Sequence, residues 1–217
     1  MDFAVIFDMD GVISDTQKIH AQVESEILFE QGIYLTPSEI TMRFAGVKTE
    51  EFFRELIGQE KKLLVDELMN KKWEKMALYA REGVDEIEGS IELIKMLFAL
   101  KIKMAVASAS NSRYVTTILS TLGVLDYFPV VVSGDCVKKG KPDPESFLLA
   151  AQKLQVKPEY CVVIEDGRSG MIAAKAGGMK CIGLVSLKDK SYLADLLVTS
   201  LKEIDARILS TLINSRK

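Results

Sequence analysis

The chain has 217 residues, 48% of them apolar and 27% charged, with a formal net charge of −3. That length supports one good-sized core with a smaller insert, and the charge balance offers little to a nucleic acid or an anionic membrane surface. No apolar run approaches the ~20 residues of a membrane span, and acids at Asp2 and Asp8 stand where a basic leader would lie. The expectation is a cytoplasmic monomer, with Cys136, Cys161 and Cys181 as reduced thiols in apolar surroundings.

In chain order, Phe3–Phe7 reads as a buried strand that stops at Asp8-Met9-Asp10-Gly11. Residues 16–81 then carry helical patterns and no convincing strand. Gln17–Gln31 reads as a helix ended by Gly32, and Leu63–Ala80 as a long charged amphipathic helix containing the only tryptophan, Trp73. Leu28, Phe29, Phe52, Phe53 and Leu56 are expected to pack this segment, with Trp73 among them. Strands and helices alternate afterwards. The helices are Ser90–Leu100, Ser112–Leu122, Pro144–Leu154, Ser169–Ala176 and Leu201–Leu212. The strands are Lys103–Ala107, Val130–Val132, Tyr160–Ile164, Lys180–Leu184 and Leu196–Val198. These strands are apolar on both faces, as central parallel strands must be. The pattern predicts an α/β protein. A Rossmann-like parallel-sheet core spans 1–14 and 84–217, and an α-helical cap is inserted at 15–83. The expected hinges are Ser14–Asp15 and Glu82–Asp85.

Ligands bind such sheets at the carboxyl ends of the strands. There the sequence places Asp8-Met9-Asp10-Gly11, Ser108-Ala109-Ser110-Asn111, Lys139-Gly140-Lys141-Pro142 and Glu165-Asp166-Gly167. Clustered carboxylates repel unless a cation sits between them, and oxygen ligands suit a hard divalent ion such as Mg²⁺. A hydroxyl, backbone N–H groups and a lysine would hold the remaining oxygens of a phosphoryl group. There is no G-x-x-x-x-G-K-[ST] loop, so a P-loop nucleotide site is excluded. Taken singly, each residue has a plainer reading. Asp10 could be a turn residue, Lys141 a solvated loop lysine, Ser108 or Ser110 a helix N-cap, and Glu165-Asp166 the cap of the next helix.

Taken together and in order, Asp8-Met9-Asp10-Gly11-Val12, Ser108, Lys141-Pro142 and Glu165-Asp166 resemble the four motifs of the haloacid dehalogenase superfamily. The helical insert after the first motif is similar to one capped subfamily. Asp15-Thr16 with His20, Ala107-Ser108-Ala109-Ser110 and Gly140-Lys141-Pro142-Asp143-Pro144 resemble its β-phosphoglucomutase and small-molecule phosphatase branch. The resemblance implies Asp8 as nucleophile and Asp10 as general acid/base. It implies Mg²⁺ held by Asp8, Asp166, the Asp10 carbonyl and Glu165, the last as ligand or supporting partner. Ser108, the Ala109 N–H and Lys141 would bind the transferring phosphoryl group. Thr16 and His20 would face the site and link cap closure to proton transfer. Asn111 is either a helix cap or a substrate contact.

The branch's mutases carry a cap loop, Gly-Val-Ser-Arg-Glu, whose arginine grips a second phosphate. Here the run is Gly46-Val47-Lys48-Thr49-Glu50. Thr49 occupies the arginine position, and Lys48 offers a point charge one residue early. Gly46 and Lys48 remain candidate substrate contacts, and Lys71 or Lys72 could compensate. The expected function is therefore a Mg²⁺-dependent phosphatase acting on a small phosphorylated metabolite, with a sugar phosphate favoured. A phosphosugar mutase is the alternative, and a non-enzymatic phosphoacceptor module a distant third.

Overall fold

The computed structural model of the protein describes residues 3–44, 47–189 and 191–215. Six strands, β1 (Ala4–Phe7), β2 (Lys103–Ala107), β3 (Val130–Val132), β4 (Cys161–Glu165), β5 (Lys180–Leu184) and β6 (Leu196–Val198), form one parallel sheet. Their order is β3-β2-β1-β4-β5-β6, which places β1 at the centre with the chain winding outward on both sides. Between β1 and β2 lie α1 (Gln17–Glu30), α2 (Pro37–Phe44), α3 (Thr49–Ile57) and α4 (Lys62–Glu82), the helical insertion. The sheet is covered by α5 (Ser90–Ala99), α6 (Ser112–Thr121), α7 (Glu145–Leu154), α8 (Arg168–Ala176) and α9 (Ala206–Asn214).

The strands are apolar throughout because both sheet faces are covered. Side chains alternate between two cores. Val5, Phe7, Met104, Val106, Val162 and Ile164 pack with α5, α6 and α9, in a cluster that continues into the insertion. Ala4, Ile6, Ala105, Ala107, Cys161 and Val163 pack with α7 and α8. Phe7 is fully buried and meets Phe128 edge-on at 5.8 Å. Burial of such a side chain contributes about 1.5–3 kcal/mol.

The insertion leaves and rejoins the sheet through two linkers lying side by side. Asp15 N–H donates to Asp85 O (2.9 Å), Ile87 N–H donates to Ile13 O (3.0 Å), and Ser14 bridges Glu86. Leu28, Phe52 and Phe53 are buried and Leu56 is half-buried. Phe29 departs from expectation: it is 65% exposed and stacks edge-on with Tyr34. The buried stripe of α1 runs through His20, Glu24, Ile27 and Leu28, and Phe29 lies outside it.

Three further corrections concern local chemistry. The single helix expected over Leu201–Leu212 is a 3-10 turn, Leu201–Glu203, followed by α9. Ser200 and Glu203 form a capping box, and Asp205 then accepts from Ile208 N–H at 2.8 Å, so two start signals divide the segment. β4 begins at Cys161 because Pro158–Tyr160 forms a 3-10 turn. Cys136 is exposed, whereas Cys161 and Cys181 are buried. Among the described residues no helix is long and apolar enough to cross a membrane.

Candidate active site

Strand register assembles the site. Phe7 pairs with Val106 on one side and Ile164 on the other. One residue further, Asp8, Ala107 and Glu165 stand level, with Ser108 and Asp166 just beyond. Asp8 N–H donates to Ile164 O at 3.0 Å, and Ser108 N–H donates to Val132 O at 2.9 Å, so both leave the sheet still attached to it.

After Asp8 the chain folds into a tight turn. Ile13 and Ser14 N–H both donate to Met9 O (2.8 and 3.0 Å), and Gly11 N–H donates to Ser14 O at 2.8 Å. Gly11 has φ +88°, and a Cβ there would stand 2.2 Å from Asp166 Oδ2. Only glycine meets both demands. A Cβ on Gly170 would likewise lie 1.7 Å from Glu165 Oε1, so α8 can approach β4 only with glycine at that point.

Lys141 is 1% exposed and joins the acids across 133 residues of chain. Its Nζ donates to Asp8 Oδ1 (2.5 Å) and Glu165 Oε1 (2.8 Å). Glu165 Oε2 accepts from Gly167 N–H at 2.6 Å, so both its oxygens are engaged and it orients Lys141. Burial disfavours the Lys141 charge, but Asp8 and Glu165 outweigh it and hold the ammonium above the ordinary lysine range.

One oxygen from each of Asp8, Glu165 and Asp166 lies within 4.8 Å of the others. Asp166 Oδ1 is buried without a hydrogen-bond partner. Burial raises the Asp8 carboxyl; Lys141 opposes this, and the charges of Glu165 and Asp10 add to it, bringing it to about 7. Asp166 is pushed well up by burial and then by Glu165 and Asp8. An orphaned carboxylate oxygen beside two crowded acids fits a hard divalent cation, which would take oxygen ligands and relieve the repulsion.

Asp10 sits in the opposite environment. Its Oδ1 accepts from Thr16 Oγ1 at 2.5 Å, and its Oδ2 accepts from Ser110 Oγ (2.8 Å) and Ser108 Oγ (3.4 Å). His20 Nε2 lies 3.2 Å from Oδ1, at ion-pair distance, but is not aligned as a hydrogen-bond donor. Burial would raise Asp10, but the neighbouring His20 and the Thr16 and Ser110 hydroxyls outweigh it and hold the carboxyl below its usual range. Two acids two residues apart are thus driven in opposite directions.

The insertion closes over these groups. Asp8, Asp10, Ala109 and Ser110 form one wall of a cavity of about 40 Å³, and Glu24, Thr41, Thr49 and Lys72 face it. That volume holds only a few waters. Glu51 Oε1 accepts from Gly140 N–H at 2.7 Å, so α3 touches the loop that carries Lys141. A wider cleft of about 570 Å³ leads past Asp166 and is bordered by the exposed cations Lys18, Arg43 and Arg168.

Asp8, Asp10, Ser108, Ala109, Lys141, Glu165, Asp166, Thr16 and His20 therefore gather at one place. Two other predicted contacts do not. Asn111 Oδ1 accepts from Tyr114 N–H at 2.8 Å, which makes Asn111 the N-cap of α6, and the residue borders a separate groove. Lys48 Nζ donates to Val137 O at 3.1 Å and is not among the residues lining the cavity. Gly46 lies outside the described residues. Sequence reasoning missed Glu24, which lies four residues after His20 on the same helix face and so was legible. Of the two lysines that could compensate for the missing arginine, Lys72 lines the cavity. Trp73 lies at the cap–core contact, 6.0 Å from His20 and 5.6 Å from Tyr114 between ring centroids.

Comparison with known proteins agrees with this geometry. A family model described as haloacid dehalogenase-like hydrolase matches residues 5–184. The chain is 37% identical over 195 residues to a phosphorylated carbohydrates phosphatase of Thermotoga maritima, covering 88% of this chain and 90% of the relative. It is 34% identical over 214 residues to a β-phosphoglucomutase of Bacillus subtilis, covering 95% and 93%. The crystal structure of a β-phosphoglucomutase from Clostridium difficile superposes with a TM-score of 0.85 at 26% identity, covering 99% of this chain and 98% of that one. A six-stranded parallel sheet with a helical insertion after the first strand, together with these matches, shows that the chain belongs to the haloacid dehalogenase-like hydrolases, as an enzyme of the phosphatase/phosphotransferase type.

Proposed function

We propose that the protein is a Mg²⁺-dependent phosphatase that hydrolyses a small phosphorylated metabolite, most readily a sugar phosphate, through an aspartyl-phosphate on Asp8. The observation that carries this reading is the buried Lys141–Asp8–Glu165 contact beside Asp166, with Asp10 held separately two residues on. In the first step an ionised Asp8 oxygen attacks phosphorus in line, and the ester oxygen leaves as the alcohol with a proton carried by Asp10; because its neighbours hold Asp10 ionised in the free protein, it takes this proton up only once substrate is bound. In the second, water attacks the same phosphorus while Asp10 takes its proton, releasing phosphate and restoring Asp8. Lys141 keeps one Asp8 oxygen fixed and balances charge beside it. His20 brings a titratable nitrogen from the cap to Asp10, which links proton movement to cap position. Mg²⁺, held by Asp8, Asp166 and the Asp10 carbonyl, would supply charge neutralisation and positioning of the phosphate.

Water as final acceptor is favoured over a sugar hydroxyl because the cap lacks the arginine of the mutase pattern. Thr49 stands there, and Lys48 is turned to Val137 O. The test scores free phosphate and isomerised sugar phosphate together on a panel of sugar monophosphates, with and without Mg²⁺. Mg²⁺-dependent phosphate release is expected, reduced at least ~10³-fold by Asp8→Asn and ~10²–10⁴-fold by Asp10→Asn. Equal, metal-independent turnover by wild type and Asp8→Asn would overturn the proposal, and isomerisation without net phosphate release would favour a mutase.

A further inference from the structure

We infer that Glu24, Lys72 and Thr49 form a neutral hydroxyl-recognition site for the end of the substrate remote from the transferring phosphate. It selects polyhydroxylated monophosphates against bisphosphates. The inference rests on the phosphatase reading for the identity of the transferring group, and adds what the rest of the substrate must be.

The three residues come from α1, α4 and α3 and meet in the cavity wall that faces Asp8. They are 8%, 2% and 4% exposed, respectively. Lys72 Nζ donates to Glu24 Oε1 at 2.5 Å and to Thr49 Oγ1 at 2.9 Å. A buried ion pair is a poor stabiliser, since apolar residues of similar volume serve as well or better. Its place in the lining of the cavity, a short way from the nucleophile, points to recognition.

Its chemistry is specific. An ammonium has three N–H donors, of which Glu24 and Thr49 take two; a carboxylate has two oxygens, of which Lys72 takes one. A donor, an acceptor and a hydroxyl side by side suit the neighbouring hydroxyls of a sugar or polyol. Thr41 and Gln17 add neutral polar groups to the lining, while Ile40 and Phe44 supply apolar surface for C–H faces. A second phosphate would find the opposite. The one ammonium in the wall is already balanced, and Glu24 would repel a dianion at short range. Lys48, beside Thr49 in sequence, donates to Val137 O, and Lys71, beside Lys72, pairs with Glu30. The exposed cations of the outer cleft attract every phosphate alike and do not discriminate.

The experiment compares glucose 6-phosphate, glucose 1,6-bisphosphate and butyl phosphate. It uses turnover by wild type and Glu24→Gln, and binding to the same pair in an Asp8→Asn background by thermal shift. Wild type is expected to favour glucose 6-phosphate over both others by roughly tenfold or more in kcat/KM. Glu24→Gln keeps the shape but leaves Lys72 uncompensated, and should shift the monophosphate-to-bisphosphate ratio toward bisphosphate by roughly tenfold, mainly through KM. Thr49→Arg, a second variant independent of the folding of the first, should shift the ratio the same way. Equal use of mono- and bisphosphate by wild type, with neither variant moving the ratio, overturns the inference and leaves the phosphatase reading intact. Binding preferences that follow these predictions without turnover by wild type would uphold the recognition site and overturn the phosphatase reading.

Discussion

Asp8, Glu165 and Asp166 bring three carboxylates together beside one ammonium, Lys141. The consequence is a site that destabilises the metal-free fold as its acids ionise. A carboxyl raised from 3.8 to about 7, as Asp8 is, costs nothing when protonated in both states. The cost grows as pH climbs from the unfolded value through the folded one. Asp166 acts in the same direction. Asp10 has the opposite sign, its stabilisation being lost only as pH falls below its ordinary range. Millimolar Mg²⁺ should therefore raise Tm little near pH 5 and clearly more near pH 8, because cation binding competes with protons for these oxygens. Thermal melts with EDTA or Mg²⁺ at both pH values test this. Asp8→Asn should flatten the difference, and no Mg²⁺ effect at any pH would contradict a cation at these acids.

At the scale of elements, the start of α6 separates two neighbouring residues into different jobs. Ser110 sends its hydroxyl to Asp10, whereas Asn111, with φ −70° and ψ 156°, holds the first turn of the helix. Side-chain chemistry alone does not distinguish them, since serine and asparagine are both good caps. Asn111→Ala is expected to lower stability by about 1 kcal/mol in urea titrations. A loss of substrate affinity with unchanged stability would instead return Asn111 to the list of substrate contacts. The turn from Met9 to Ser14 is a second case. Its hydrogen bonds to Met9 O and the positive φ of Gly11 bring Asp10 back over the sheet edge, where an extended strand would have carried it away.

At the scale of the molecule, the chain describes a closed form. The cavity between Asp8 and the cap holds only about 40 Å³, too little for a sugar phosphate, so on the proposed function the cap must move for substrate to reach Asp8. For that motion the paired linkers at Ile13–Asp15 and Asp85–Ile87 would be the pivot, and the Glu51–Gly140 and Lys48–Val137 contacts would part. The only tryptophan, Trp73, reports on this contact directly, since it packs against His20 and against Tyr114 of the core. Intrinsic fluorescence should change saturably on titration with inorganic phosphate in the presence of Mg²⁺. Emission that stays constant while phosphate inhibits turnover would place the motion elsewhere.

The sequence by itself determined the sheet, because strands covered on both faces must be apolar on both faces, and it placed most helices to within a residue or two. It also placed the acids, serine and lysine of the candidate site together, since strand ends in a parallel sheet all open on one edge. Periodicity is local, and these features are written locally. Only the tertiary structure decided the rest. Phe29 left the core because of which face α1 presents, Lys48 turned to Val137 O, and Lys72 found Glu24 and Thr49 across 48 and 23 residues of chain. Lysines spaced along an amphipathic helix look alike in sequence. Which one is buried depends on the packing of three helices against one another, and that packing is set by contacts between segments that no local pattern relates.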